Sequence, residues 1–187
     1  MVERVSALSG HYSKTSHDNG SVTFTEIEDL SLIQLAAWPD TLALVAAKAV
    51  DIIGAQEAPG PGRAVSTHKG TLLRIEPLKW WLVECRDFAL SSDPLATQGA
   101  VLDVSHSRTQ LRISGPQAAL LLNRHLPLDL RDAAFPVGTV ASTAFHHTGV
   151  TLWRSEQGYE LFMIRGFALS LWELLRESGA QFNAEIA

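Results

Sequence analysis

Between Val101 and Leu130 the chain reads VLDVSHSRTQLRISGPQAALLLNRHLPLDL, and the spacing of its apolar positions changes twice. An apolar run, Val101–Val104, predicts a short strand that stops at the polar corner Ser105-His106-Ser107-Arg108. Alternation follows, with Leu111 and Ile113 turned one way and Gln110 and Arg112 the other, which is the period of a second strand. Ser114-Gly115-Pro116 then opens a helix, since proline suits a first helical position whose N–H would be unpaired anyway. Ala118, Leu121, Leu122 and His125 fall three and four residues apart on one face, and Pro127 stops the helix. Strand, polar corner, strand and helix form the unit around which the remaining elements are placed.

Upstream, Val22, Phe24 and Ile27 give an extended start, and Leu30–Trp38 reads as a buried strand. A helix then runs from Pro39-Asp40, with Leu42, Val45, Ala46, Ala49, Val50 and Ile53 on one stripe, Asp40 as a cap and Gly54 as the stop. Thr71–Ile75 and Leu78–Cys85 read as paired strands around Glu76-Pro77, with Trp80 and Trp81 on opposite faces. Downstream, Thr139–Phe145, Val150–Trp153 and Tyr159–Ile164 form a meander through His146-His147-Thr148-Gly149 and Glu156-Gln157-Gly158. A last helix, about 167–178, buries Ala168, Leu171, Trp172 and Leu175, and Gly179 ends it.

Two passes of strands and helices predict an α+β fold: two small lobes of mainly antiparallel sheet with packed helices. Residues 22–182 form the folded part, with lobes 22–99 and 100–182. The stretch 55–70, carrying Pro59-Gly60-Pro61-Gly62, reads as a loop and is the best candidate for a boundary between lobes. Residues 1–21 read as a flexible arm and 183–187 as a frayed end, because both have little to bury.

Composition narrows the class. The chain has 187 residues, 46% of them hydrophobic, and a net charge of −5 with both signs interspersed, which favours neither nucleic acid nor an anionic membrane as partner. No apolar run approaches the ~20 residues that span a bilayer, and the N-terminus shows no signal-peptide core. With Cys85 as its single cysteine, the chain forms no internal disulfide, and a cytoplasmic location is expected.

The chemistry-bearing residues are sparse. The Pro-Gly loop lacks the Gly-Lys-Ser/Thr ending and following helix of a phosphate cradle. His146-His147 is a tight pair, but neighbours on a strand point apart and nothing nearby completes a metal site. Asp103, Ser105 and His106 hold the atoms of a catalytic triad on nearly consecutive backbone, where local capping of N–H groups is the expected role.

Certain motifs carry a resemblance. Asp103-Val104-Ser105-His106, Leu111-Arg112-Ile113-Ser114-Gly115-Pro116 with Ala118-Ala119, and Phe135-Pro136-Val137-Gly138 resemble the glycine-cleavage T-protein (aminomethyltransferase) fold. Leu78–Val83, Phe145–Trp153, Gly158–Phe162 and Phe167–Trp172 bring the chain closer to the gamma-subunit family of heterotetrameric sarcosine oxidase, over roughly 22–182. This resemblance implies a non-catalytic subunit in a complex that demethylates sarcosine oxidatively. It implies alpha, beta and delta partners, with alpha in direct contact. FAD, FMN, NAD, tetrahydrofolate and zinc are expected on those partners and no cofactor on this chain. The region Gly149–Arg154 lacks the carboxylate that folate-dependent T-proteins carry, leaving Glu156, Glu160 or Asp103 to supply one if the chain acts as a stand-alone folate enzyme.

On the subunit reading no residue is catalytic or metal-binding, and the candidate site is an interface. One of Trp80 and Trp81 is expected to be exposed as its anchor, with His106, Arg108, Arg124, His146 and His147 as rim groups. Self-association of the isolated chain through the same patch is a further expectation.

Overall fold

The computed structural model describes residues 5–12, 20–85 and 95–187. In chain order it contains β1 (Thr23–Ile27), β2 (Leu32–Ala37), α1 (Leu42–Ile53), β3 (Ala64–Thr67), β4 (Gly70–Glu76), β5 (Lys79–Val83) and β6 (Gly99–Asp103). These are followed by β7 (Arg108–Ser114), α2 (Ala118–Leu122), β8 (Val140–Phe145), β9 (Thr148–Ser155), β10 (Gly158–Ile164), α3 (Ala168–Gly179) and β11 (Glu185–Ile186).

The chain divides into two units, one of Met1–Glu28 with His106–Ala187 and the other of Asp29–Ser105. The division is not the expected 22–99 and 100–182, nor does it fall in the Pro-Gly loop. β1 pairs with β7 and β11, so the first strand belongs with the last third of the chain, and β6 pairs with β2. Hydrogen bonding between strands far apart in sequence sets these boundaries.

The discontinuous unit holds a six-stranded sheet in the order β11-β1-β7-β10-β9-β8, antiparallel except where β11 joins β1. Leu111 and Ile113 of β7 stand opposite Leu161 and Tyr159 of β10, and all four enter a core capped by Ala168, Leu171, Trp172 and Leu175 of α3. Ala118, Leu121 and Leu122 of α2 complete it. This helix is shorter than its spacing suggests, ending at Leu122, well before Pro127. Gly115 makes the β7–α2 corner possible. Its φ is +104°, and a Cβ there would lie 2.5 Å from the Ser21 carbonyl oxygen that accepts the Gln117 N–H.

The described residues 5–12 and the C-terminal residues 185–187 are tied to this unit, which corrects the expectation of a flexible arm for that segment and of a frayed terminus. Leu8 is fully buried in the core. The Tyr12 ring lies 5.2 Å from Trp172, and its hydroxyl donates to the Phe24 carbonyl and accepts from the Glu26 N–H. The Trp172 indole N–H donates to the His11 carbonyl at 3.2 Å. At the other end, the N–H groups of Glu185 and Ala187 donate to the carbonyls of Val22 and Phe24, extending the sheet by one short parallel strand. Low apolar content hid both attachments, because they depend on a few side chains and on backbone groups. Positions 1–4 and 13–19 of the arm lie outside the described residues.

The continuous unit is a five-stranded antiparallel sheet in the order β3-β4-β5-β2-β6, with α1 against one face. Val45, Ala49 and Ile53 of α1 pack on Ile33, Leu35, Leu72, Trp80 and Leu82, and Gly54 ends the helix at φ +67°. Asp40 does not cap it. A short 3-10 turn at Pro39–Thr41 precedes α1, closed by the Trp38 N–H donating to the Thr41 hydroxyl, and no side chain caps α1 itself. Among the described residues no helix is long and apolar enough to cross a membrane.

Candidate functional site

The sheet of the continuous unit places Trp80 and Trp81 on opposite faces, as alternation requires, but neither is exposed. Trp80 lies in the core beside α1. Trp81 is 3% exposed on the other face, among Leu32, Leu73 and Val83, and its indole N–H donates to Gln34 Oε1 at 3.2 Å. The expected exposed anchor is therefore not one of this pair. A sheet with both faces buried shows no alternation between apolar and polar residues, so the sequence could not reveal which ring was covered. The half-exposed tryptophan is Trp38, at 52%, accompanied in the same unit by Leu44 and Leu102. Its signal was Pro39, which ends the strand and leaves the preceding residue extended at the sheet's rim.

Of the five rim candidates, His106 is exposed in a 3-10 turn, and Arg108 at the start of β7 turns its guanidinium onto the Ser107 carbonyl at 3.2 Å. His146 meets a residue that was not a site candidate, His125, whose chain neighbour is Arg124. The His125 ring stacks on Phe145 at 4.7 Å and 16°, lies 5.8 Å from the His146 ring, and shares a 2.8 Å hydrogen bond with Ser178 Oγ. Arg124 donates to Gln181 Oε1 at 2.6 Å and covers the Phe182 ring at 4.6 Å. His147, beside His146 in the β8–β9 turn, faces solvent. The turn bends sharply, with His146 at φ +52°, yet no group of three or more His, Cys, Asp or Glu able to hold a metal occurs among the described residues.

Burial pushes the His125 imidazole below its ordinary value of 6.5, and His146 and Arg124 push it further in the same direction. The unfolded chain takes up this proton near pH 6.5, whereas the folded chain resists until lower pH. Stability is therefore full above about pH 6.5 and falls as the pH drops through the folded-state value. Melting temperatures at pH 7.5 and 5.5 should differ more for the wild type than for His125→Gln. Equal differences would show that His125 does not set this dependence.

The polar corner behaves as a cap. Asp103 Oδ1 accepts the Ser105 N–H at 2.9 Å, and Ser105 Oγ accepts the Leu32 N–H at 2.8 Å. Asp103, Ser105 and His106 thus hold backbone and do not assemble a nucleophile with its base.

One polar cluster went unrecognised in the sequence. Glu160, in the middle of β10, is fully buried, with Oε1 accepting from Arg112 Nε at 2.5 Å and from Ser155 Oγ at 2.9 Å. Its Oε2 accepts from Gln110 Nε2 at 2.8 Å. The only sequence signal was an acid within an apolar strand, and the pairing of Glu160 with Arg112 across β10 and β7 appears once the register is known. A folate-type reaction needs a carboxylate free to meet the reacting nitrogen. Both Glu160 oxygens already accept from protein donors, Glu156 stands exposed in the β9–β10 turn, and Asp103 serves the corner. Glu160 and Asp103 are thus committed to protein donors, and Glu156 lies on the surface of a turn.

Comparison with known proteins places the chain. The family model for the GCVT N-terminal domain matches residues 70–187. The chain belongs to this family. It is also 28% identical, over 174 residues (88% of this chain and 82% of the relative), to sarcosine oxidase subunit gamma of Corynebacterium sp. (strain U-96). A second gamma subunit, from Corynebacterium sp. (strain P-1), is 34% identical over 98 residues, which are 52% of this chain and 46% of that one. Among solved structures, heterotetrameric sarcosine oxidase from Corynebacterium sp. U-96 in complex with pyrrole 2-carboxylate contains a chain with TM-score 0.77 and 25% identity, covering 98% of this chain and 99% of that one. The glycine cleavage system aminomethyltransferase T from Bartonella henselae matches with TM-score 0.60 at 17% identity, over 90% of this chain and 48% of that one. This last likeness shows the fold alone. The fold is thus the T-protein-like α+β arrangement that the motifs suggested, and the relatives are those of the expected family.

Proposed function

We propose that this chain is the gamma-type subunit of a heterotetrameric sarcosine oxidase, and that it contributes assembly rather than chemistry. The observation that carries this reading is the end-to-end match to one chain of such a heterotetramer, at TM-score 0.77 over 98% of this chain and 99% of that one. The state of Glu160 supports the non-catalytic part, since its carboxylate is a counter-ion for Arg112 with no exposed surface. On this reading the partners are alpha-, beta- and delta-type subunits in the cytoplasm. They hold FAD, FMN, NAD, tetrahydrofolate and zinc, and the complex demethylates sarcosine to glycine, yielding hydrogen peroxide with methylenetetrahydrofolate or formaldehyde. What this chain supplies is a folded surface: two sheets with buried cores, and rim groups such as Arg108, Arg124 and His146 held by their own neighbours.

The test is co-expression of the alpha-, beta- and delta-type subunits with and without this chain. Sarcosine-dependent peroxide formation, flavin content and the size of the assembly would be measured. Omission is expected to dissolve the assembly or strip its flavin, while this chain alone turns over no sarcosine. A chain that stays out of the assembly and binds tetrahydrofolate by itself would overturn the reading.

A further inference from the structure

Strand β6 is an outer edge of its sheet among the described residues. The Val104 N–H donates to the Leu32 carbonyl, and the register pairs Gln34 with Leu102 and Ala36 with Ala100. Antiparallel pairing alternates, so Ala100 and Leu102 spend their backbone groups on β2. Gly99, Val101 and Asp103 turn theirs away from the sheet.

Sheet edges of this kind are ordinarily blunted by lysine, proline, a bulge or extreme shortness, because unpaired N–H and C=O groups recruit other strands. β6 has none of these devices. Its sequence is Gly-Ala-Val-Leu-Asp, its register is regular, and its single charge, Asp103, is engaged by the Ser105 N–H. The opposite edge, β3, is shorter and carries hydroxyls, with Ser66 Oγ 3.0 Å from Thr71 Oγ1.

The side chains agree with the backbone. Leu102 and Trp38 are each 52% exposed. Ala100 and Leu102, about 6.6 Å apart along β6, share a face with their partners Ala36 and Gln34, and Trp38 follows Ala36 by two residues, just beyond the neighbouring strand β2. Trp38 is fixed in place, its indole N–H donating to the Thr97 carbonyl at 3.3 Å and its backbone N–H to Thr41 Oγ1 at 3.0 Å. A tryptophan already held still loses little freedom on being covered, which suits it to anchor a contact.

We propose that the open edge of β6 receives an extended segment of another subunit, which adds a sixth strand to this sheet. The outward N–H and C=O groups of Gly99, Val101 and Asp103 are matched only by another extended backbone. Leu102 and Trp38 select apolar side chains at alternate positions of that segment. The inference rests on the subunit function proposed above, which makes the donor an unlike chain rather than a second copy.

Hydrogen exchange on the wild-type chain, free and within the co-expressed assembly, tests this directly. The outward amides of Gly99, Val101 and Asp103 should exchange at least a hundredfold more slowly in the assembly. Leu102→Lys places a charge on the exposed face, and Val101→Pro removes an outward donor at a position where an edge strand tolerates proline. Each should lower the amount of chain retained by the partners tenfold or more. Leu102→Lys should leave the melting temperature of the free chain close to wild type, whereas Val101→Pro also gives up packing on the core beside α1 and should lower it. Leu120→Lys, at an exposed leucine of the other unit, should be retained normally. If Val101→Pro does not fold, Leu102→Lys and the exchange data decide.

Wild-type chain that assembles without protection at Gly99, Val101 and Asp103, or Leu102→Lys retained in full, overturns the β6 inference and leaves the subunit function standing. Wild-type chain that never joins the partners overturns both. A homodimer formed through this edge in place of the mixed assembly overturns the unlike occupant.

Discussion

Glu160→Ala is expected to cost about 3–5 kcal/mol of stability, the range for breaking a buried ion pair by removing one partner. Glu160 has no exposed surface and accepts from Arg112, Gln110 and Ser155; its loss strands the first two, while the Ser155 hydroxyl keeps the Gly158 carbonyl. Arg112 reaches partial solvent, with 23% of its side chain exposed, which places the loss toward the lower end of that range. The paired change Arg112→Met with Glu160→Leu removes both charges and should restore most of the loss, because apolar replacement of a whole buried pair is often neutral. Urea unfolding of the wild type and the two variants measures this. A single-variant loss below about 1 kcal/mol would mean that the pair is hydrated and that Glu160 is available for other work.

Trp172→Ala should be of similar size, about 3–5 kcal/mol, with an additional local effect. The ring is 1% exposed, meets Phe24 edge-on at 5.3 Å and Tyr12 at 5.2 Å, and donates to the His11 carbonyl. Truncation leaves a cavity under α3 and also removes the platform that holds residues 5–12. Limited proteolysis should therefore cut this segment faster, under conditions where the rest of the chain remains folded. Trp172→Phe keeps an aromatic neighbour for Phe24 but loses the indole donor, and should cost about 1 kcal/mol for that hydrogen bond plus a smaller packing loss. If Trp172→Ala melts without any change in cleavage near Tyr12, the arm is held by Leu8 and the Tyr12 hydroxyl rather than by this ring.

Legibility followed solvent contrast. Leu111 and Ile113 against Gln110 and Arg112 gave β7, and the stripe Ala168, Leu171, Trp172, Leu175 gave α3, because each element has one face in a core. The same logic failed where both faces are covered. Gln110 and Glu160 are polar yet buried, and Trp81 is as hidden as Trp80. It failed again where contacts are few, as with Leu8, Tyr12 and β11. Of the residues proposed for the interface, His146 lies against His125, which the sequence did not single out, and the half-exposed tryptophan is Trp38 rather than Trp80 or Trp81.

By itself the sequence determined most of the elements, though not β3 or β11, together with the α+β class and, through the motifs from Leu78 to Trp172, the family. These depend on local periodicity and on residues adjacent in the chain. Only the tertiary structure decided which strand pairs with which, and hence that β1 joins β7 and that residues 29–105 form a separate unit. It likewise decided that Glu160 faces Arg112 and that β6 stands at an edge. Those outcomes are set by hydrogen bonds between residues tens of positions apart, which leave no periodic mark on the sequence.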